Sequence, residues 1–175
     1  MKILVSKNQI RHLNKTHSAL ENTIIFFLLK NRNALNLIPS RRDKIVSVAS
    51  KRQPDIAVVL DDVHDLHNIS ACLRICESVG IYNMYLLDTR EKLKKGNFSL
   101  GKKSSSGARK WMDVYYFEDR QTCVDAIKAK YETIYITTLN QHAISFHSVD
   151  YNQSFAVIFG NEHIGVSALF SELAR

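Results

Sequence analysis

The stretch Ile56-Ala57-Val58-Val59-Leu60 is an unbroken apolar run of β-branched character. A strand with one face in water alternates apolar and polar residues, whereas a run with no polar member is buried on both faces, the condition of a strand inside a parallel sheet. Parallel strands cannot be joined by tight hairpins, so helices must alternate with strands along the chain. The remaining pattern obeys that demand. A helix is predicted over Arg41 to Lys51, led by Pro39 and a Ser40 cap, with Ile45, Val48 and Ala49 at helical spacing. There follow a helix from Ile69 to Val79, strands at Tyr82 to Leu87 and Met112 to Phe117, and a helix from Arg120 to Lys130. Strands at Thr133 to Leu139 and Phe155 to Phe159 and a terminal helix within Val166 to Arg175 complete the pattern. The expected fold class is α/β, a Rossmann-like, mostly parallel sheet.

A chain of 175 residues with 45% hydrophobic and 23% charged residues is long and apolar enough for one α/β domain with a buried core. Residues 1–38 read differently: a polar and basic opening, a helix near Ser18 to Lys30, and an Asn-rich stretch from Asn31 to Asn36. The expected division is an atypical extension over 1–38 and the main domain over 39–175. The longest apolar run, Ile24 to Leu29, is six residues, far short of the roughly 18 needed for a membrane span. Lys7, Asn8, Gln9 and Arg11 interrupt the opening too early for a secretory signal. Cys72, Cys76 and Cys123 are odd in number and lack a Cys-x-x-Cys pair, which argues against a disulfide framework or zinc ribbon and fits a reducing cytoplasm. Lys plus Arg exceed Asp plus Glu by 24 to 17, a net charge of +7 that favours a polyanionic partner without choosing between nucleic acid and an anionic membrane.

Two segments carry candidate chemistry. Asp61-Asp62-Val63-His64-Asp65-Leu66-His67-Asn68-Ile69-Ser70-Ala71-Cys72-Leu73-Arg74 joins the carboxyl end of the buried strand to a helix, the place where open α/β sheets bind ligands. Ile69, Cys72, Leu73 and Cys76 fall at i, i+3, i+4 and i+7, so one stripe faces the core and packing accounts for both cysteines. Asn68 takes the N-cap position and Arg74 points away from the stripe, which leaves both polar groups free for the mouth of the sheet. By spacing alone a helix cap and a solvated arginine explain them equally. The second segment, Phe155 to Ser167, is a buried strand ending in Gly160-Asn161-Glu162-His163-Ile164-Gly165, where two glycines flank a carboxylate and allow close backbone approach to a ligand.

The chain here resembles the SpoU family of RNA ribose 2′-O-methyltransferases (SPOUT superfamily). Asn68, Ala71 and Arg74 are similar to the Asn-x-x-Ala-x-x-Arg core of its first motif, and Phe159-Gly160-Asn161-Glu162 with Gly165-Val166-Ser167 to its second. Lys51 to Asp55 and Val63-His64 leading to His67-Asn68 are closest to the TrmH group, which methylates guanosine-18 of tRNA. The resemblance implies a trefoil-knotted fold, a homodimer, tRNA as partner and S-adenosyl-L-methionine as methyl donor, in the cytoplasm. It implies Arg74, Asn68 and Glu162 as catalytic residues, with Arg74 handling the ribose 2′-hydroxyl, and Thr137, Leu139, Gly160 and Asn161 against the cofactor. The family continues beyond its second motif with a third that completes the knot; the chain ends at Ala174-Arg175 without it, so a C-terminally truncated domain is expected. Two other readings stay open: a catalytically impaired RNA-binding remnant, and a methyltransferase of the same family acting on rRNA.

For RNA contacts the basic candidates are Arg41, Arg42, Lys51 and Arg52 on the leading helix, with Lys102, Lys103, Arg109 and Lys110 in a long Lys-, Gly- and Ser-rich loop. Such residues supply phosphate contacts and carry no base sequence. Gly96 to Lys102 imitates a phosphate-binding loop, but Lys103 stands where Ser or Thr is required and no buried strand precedes it. His64 and His67 lack a third ligand at suitable spacing, so no metal is expected.

Overall fold

The computed structural model describes residues 39–91, 93, 111–141 and 143–173. The expected helix at Ser18 to Lys30, the Gly96 to Lys102 stretch, and the loop cations Lys102, Lys103, Arg109 and Lys110 lie outside the described residues. The chain divides into two compact units, Met1–Pro54 and Asp55–Arg175, a boundary downstream of the one expected after residue 38.

In the first unit, helix α1 runs Pro39–Ala49 and buries Ile45 and Ala49. Proline leads it because its fixed φ suits the first helical turn, where its missing N–H costs nothing.

The second unit is built on a five-stranded sheet in the order β3-β2-β1-β5-β4. Its strands are β1 (Gln53–Asp61, entered from the first unit), β2 (Ile81–Leu87), β3 (Asp113–Phe117), β4 (Thr133–Ile136) and β5 (Phe155–Phe159). The pairs β1–β5, β2–β3 and β4–β5 are parallel, with Ile56 opposite Phe155 and Leu60 opposite Phe159. The sequence steps outward from β1 to β3 and then returns to the far side of β1. That reversal puts a switch point at the carboxyl ends of β1 and β5, the place where open α/β sheets bind ligands.

Successive residues alternate between the faces of the sheet. Ala57, Val59, Tyr85, Leu87, Ala156 and Ile158 form one core with Cys123, Val124 and Ile127 of helix α3 (Arg120–Lys128) and Phe170 of helix α4 (Ala168–Leu173). Val58, Leu60, Met84 and Leu86, also buried, point to the opposite face. Helix α2 (Leu66–Ser78) packs against β2 and buries Ile69, Leu73 and Cys76. Each such side chain contributes about 1.5–3 kcal/mol on leaving water, and Leu73→Ala alone would cost about 2–5 kcal/mol. Among the described residues no helix is long and apolar enough to cross a membrane.

Two boundaries differ from expectation. Helix α2 starts at Leu66, and its cap is Asp65, whose side chain accepts from His67 N at 2.7 Å. Asn68 therefore sits inside the first turn and is not the cap. Strand β4 ends at Ile136, before Thr137 and Leu139, although Thr137 N still donates to Ile158 O of β5.

Candidate functional site

Capping by Asp65 leaves the Asn68 side chain free, and it crosses to the end of β5, where Nδ2 donates to Glu162 Oε1 at 2.7 Å. The two motifs, 94 residues apart, thus meet at the switch point. Glu162 stands in a turn closed by paired backbone bonds, Asn161 N to Gly165 O at 3.1 Å and Gly165 N to Asn161 O at 2.8 Å. Asn161 Oδ1 accepts from His163 N at 2.9 Å within the same turn, and its Nδ2 donates to Asp62 O at 2.9 Å. Glu162 is therefore in a tight turn ahead of α4 and not in a first helical turn.

Both glycines are required by this geometry. Gly165 has φ +70°, a left-handed conformation that side chains resist. A Cβ on Gly160 would overlap the backbone carbon of Gly165 and the nitrogen of Val166, so the turn can fold back onto β5 only if residue 160 has none.

Electrostatics keep Glu162 charged. Its own backbone N–H and the Asn68 amide hold its carboxyl below the usual glutamate range, and the nearby His163 adds to this. Burial instead pushes the Cys76 thiol up to about 11 and the Cys123 thiol up to about 12, so both stay protonated at neutral pH and offer no nucleophile. Cys72 is only half-buried, less than its helical spacing promised; burial first and the Glu162 charge second raise its pKa.

Arg74 lies exposed on α2, beyond Asn68 on the same helix, and has no hydrogen bond or ion pair among the described residues. The structure thus brings Asn68 and Glu162 together and leaves Arg74 unengaged. Thr137, one residue past β4, donates from N and Oγ1 to Ile158 O at 3.0 and 3.1 Å, so it is fastened to β5 beside Phe159 and Gly160. Leu139 stands fully in solvent at 105% exposure, and Phe159 and Ile164 are also exposed. The ends of β4 and β5 therefore combine exposed apolar side chains with fixed backbone groups.

Among the basic candidates, Arg41, Arg42 and Lys51 are exposed. Arg52 is 6% exposed, a correction to its expected place on an open basic face.

Sequence reading missed a buried polar cluster beside this switch point. Asp61, Asp62 and Asp88 are buried at 1%, 2% and 0% exposure. His64 Nδ1 lies 3.5 Å from Asp88 Oδ1, and ligand atoms of Asp62, His64 and Asp88 lie within 4.8 Å of one another, close enough to hold a metal ion. His64 is thus grouped with two aspartates and not with His67. In the arrangement observed, Arg120 Nη2 supplies positive charge to Asp62 at 2.6 Å, Thr89 N and Oγ1 donate to Asp62, and Tyr116 and Leu93 N donate to Asp88. The only advance signal was the pair of adjacent aspartates closing an apolar strand, since charge in such a place demands a partner.

Sheet order and the two motifs that meet at the carboxyl ends of β1 and β5 define an α/β protein with a candidate ligand site there. The chain belongs to the SpoU rRNA Methylase family, whose model matches residues 55–175. It is 35% identical over 128 residues to the tRNA (guanosine(18)-2′-O)-methyltransferase of Thermus thermophilus, a match covering 73% of this chain and 63% of the relative. The chain thus spans less than two thirds of that relative's length. Its fold is similar to the TrmH/SpoU tRNA modifying enzyme of A. aeolicus, with TM-score 0.67 and 29% identity over 77% of this chain and 66% of that one. A SpoU methyltransferase from Streptomyces viridochromogenes, solved in complex with the cofactor AdoMet, shares the fold at TM-score 0.56 and 17% identity, covering 69% of this chain and 49% of its own.

Proposed function

We propose that this chain carries the site of a tRNA (guanosine-18-2′-O)-methyltransferase that uses S-adenosyl-L-methionine. The observation that carries the reading is the Asn68–Glu162 hydrogen bond, which joins the two motifs at the sheet's switch point. Family membership and the Thermus relative support the choice of reaction and of tRNA.

When bound, the cofactor supplies a methyl group on a sulfonium, whose in-line transfer to the ribose oxygen needs alignment more than covalent assistance. The protein's task is to hold the 2′-hydroxyl and to stabilise the oxygen as it loses its proton. Arg74 is assigned to that oxygen and an adjacent phosphate, since a guanidinium is charged throughout the working pH range. Its freedom from other partners suits that role. Asn68 and Glu162 orient the site, while Thr137, Leu139, Gly160 and Asn161 are assigned to the cofactor side. Arg41, Arg42 and Lys51 are offered to tRNA phosphates. A homodimer, the knotted topology and a cytoplasmic setting belong to the same proposal.

Titration calorimetry with S-adenosylmethionine, followed by methylation of unmodified tRNA, tests it. The chain is expected to bind the cofactor and transfer methyl to the guanosine ribose, and Arg74→Ala is expected to lower kcat roughly a hundredfold or more, as for loss of one oxyanion-stabilising donor. Retained tRNA affinity with no cofactor binding would support a cofactor-free RNA-binding role instead.

A further inference from the structure

The turn that carries Glu162 hangs from the end of β1 at both of its own ends. At the start, Asn161 Nδ2 donates to the backbone oxygen of Asp62 at 2.9 Å; at the finish, Ser167 N donates to Asp61 Oδ2 at 2.7 Å. Asp61 and Asp62 are adjacent and buried, so each carboxyl needs hydrogen-bonding partners to offset its loss of water. Asp62 also has φ +55°, a left-handed conformation for a residue with a Cβ, which persists only when its surroundings over-determine it.

What holds this corner together is distant in sequence. Arg120, the first residue of α3, places one nitrogen, Nη2, 2.6 Å from Asp62 Oδ2 and 3.4 Å from Asp61 Oδ1. Thr89 fixes the same Asp62 carboxylate from the other side with N at 2.7 Å and Oγ1 at 2.8 Å. One guanidinium therefore holds the side chains of both residues that anchor the turn, Asp61 through its carboxylate and Asp62 through its backbone oxygen.

We propose that Arg120 and Asp61 are positioning residues for the Asn68–Glu162 pair. Arg120 holds the Asp61 carboxyl in place as the acceptor for Ser167 N and keeps Asp62 where Asn161 can dock. The turn between those anchors then presents Glu162 to Asn68. Neither residue touches the reacting atoms. The inference rests on the methyltransferase reading of this site, and its test separates the two.

Arg120→Gln, Arg120→Lys and Asp61→Asn are to be made in the full chain. Amide hydrogen exchange at Ser167 and Glu162, which requires no ligand, reads the tether; steady-state transfer from S-adenosylmethionine to unmodified tRNA reads its consequence. Arg120→Gln is expected to speed exchange at Ser167 by about tenfold or more while the β1 and β5 amides of Val58 and Ile158 keep their protection. kcat is expected to fall roughly ten- to hundredfold with the KM for tRNA nearly unchanged, as for misplaced catalytic groups. Arg120→Lys, which keeps the charge, should recover part of kcat, and Asp61→Asn should speed Ser167 exchange by weakening its acceptor. Unchanged Ser167 protection in both Arg120→Gln and Asp61→Asn would overturn the inference. So would equal loss of protection at Val58, Ile158 and Ser167 in all three variants, since the role would then be general support of the fold. An inactive parent chain would sink the methyltransferase reading instead, leaving the exchange data to decide the tether.

Discussion

The carboxyl end of β5 and the carboxyl end of β4 lie side by side in one sheet and are built in opposite ways. After β5 the chain makes a tight turn sewn to another strand, with Asn161 bonded to Asp62, Ser167 bonded to Asp61 and Asn68 bonded to Glu162. After β4, Thr137 is fastened to Ile158, but the bonds that follow are local: Asn140 N to Thr138 Oγ1, Ala143 N to Asn140 O, Ser148 N to Ser145 O and Tyr151 Oη to Phe146 O. Leu139, Ile144 and Phe146 project into solvent. The first region is preorganised by contacts between residues far apart in sequence. The second is tied mainly to itself and to Tyr135 of β4, and it leaves Leu139 and Ile144 exposed. A site that must align a donor and an acceptor gains from fixing one wall; the other wall can be completed by what it binds.

Breaking the fixed wall should have the largest effect. Gly160→Ala places a Cβ into the backbone of Gly165 and Val166, and backbone cannot yield as a side-chain tip can. A loss of about 1–3 kcal/mol or more is expected from such overpacking, read as a lower urea midpoint at unchanged slope. Asn161→Ala comes next. It leaves the Asp62 carbonyl without its donor and removes the acceptor for His163 N, for an expected loss of about 1–2 kcal/mol in the same measurement.

A pH series tests the electrostatic part of the fixed wall. The Glu162 carboxyl is lowered in the folded chain, so its stabilisation is fully present above the ordinary glutamate pKa and is lost as pH falls through the lower folded value. Exposure at this turn makes the effect smaller than either backbone change. Carboxyl chemical shifts of Glu162 are expected to titrate below the usual glutamate range, and Asn68→Ala should move the midpoint upward; an unmoved midpoint would show that the Asn68 amide does not stabilise the charge.

The contrast between the two regions also explains what could be read from the sequence. Strand β5 and the buried run of β1 were legible because sheet burial on both faces writes itself as uninterrupted apolar residues. Asn68 and Glu162 stood out through their resemblance to the two family motifs, since capping alone is reason enough for a polar group at a strand–helix junction. The cap was misassigned because Asp65 and Asn68 are both good capping types three residues apart, and the choice depends on where the chain leaves β1. The early end of β4 leaves no mark in the apolar pattern, since Thr137 beyond it still bonds to Ile158 O. Arg120 was invisible for a stronger reason: its partners lie 58 and 59 residues away, and no local pattern marks a guanidinium that will neutralise two carboxylates across a sheet.

The smallest expected effect on stability belongs to the open wall and sharpens the comparison from the other side. Leu139 is exposed at 105%, so Leu139→Ala removes side-chain atoms that touch little and should change the unfolding free energy by no more than about 0.5 kcal/mol. If this side chain completes the donor's pocket, as proposed, the three carbons it loses would have been buried only in the complex, at up to about 0.8 kcal/mol each. Affinity for S-adenosylmethionine should then fall by roughly tenfold to fiftyfold while the melting temperature stays put. Parallel thermal melts and calorimetric titrations separate the cases. A fall in both quantities would mean that Leu139 belongs to the folded wall after all, and no change in either would remove it from the cofactor side of the site.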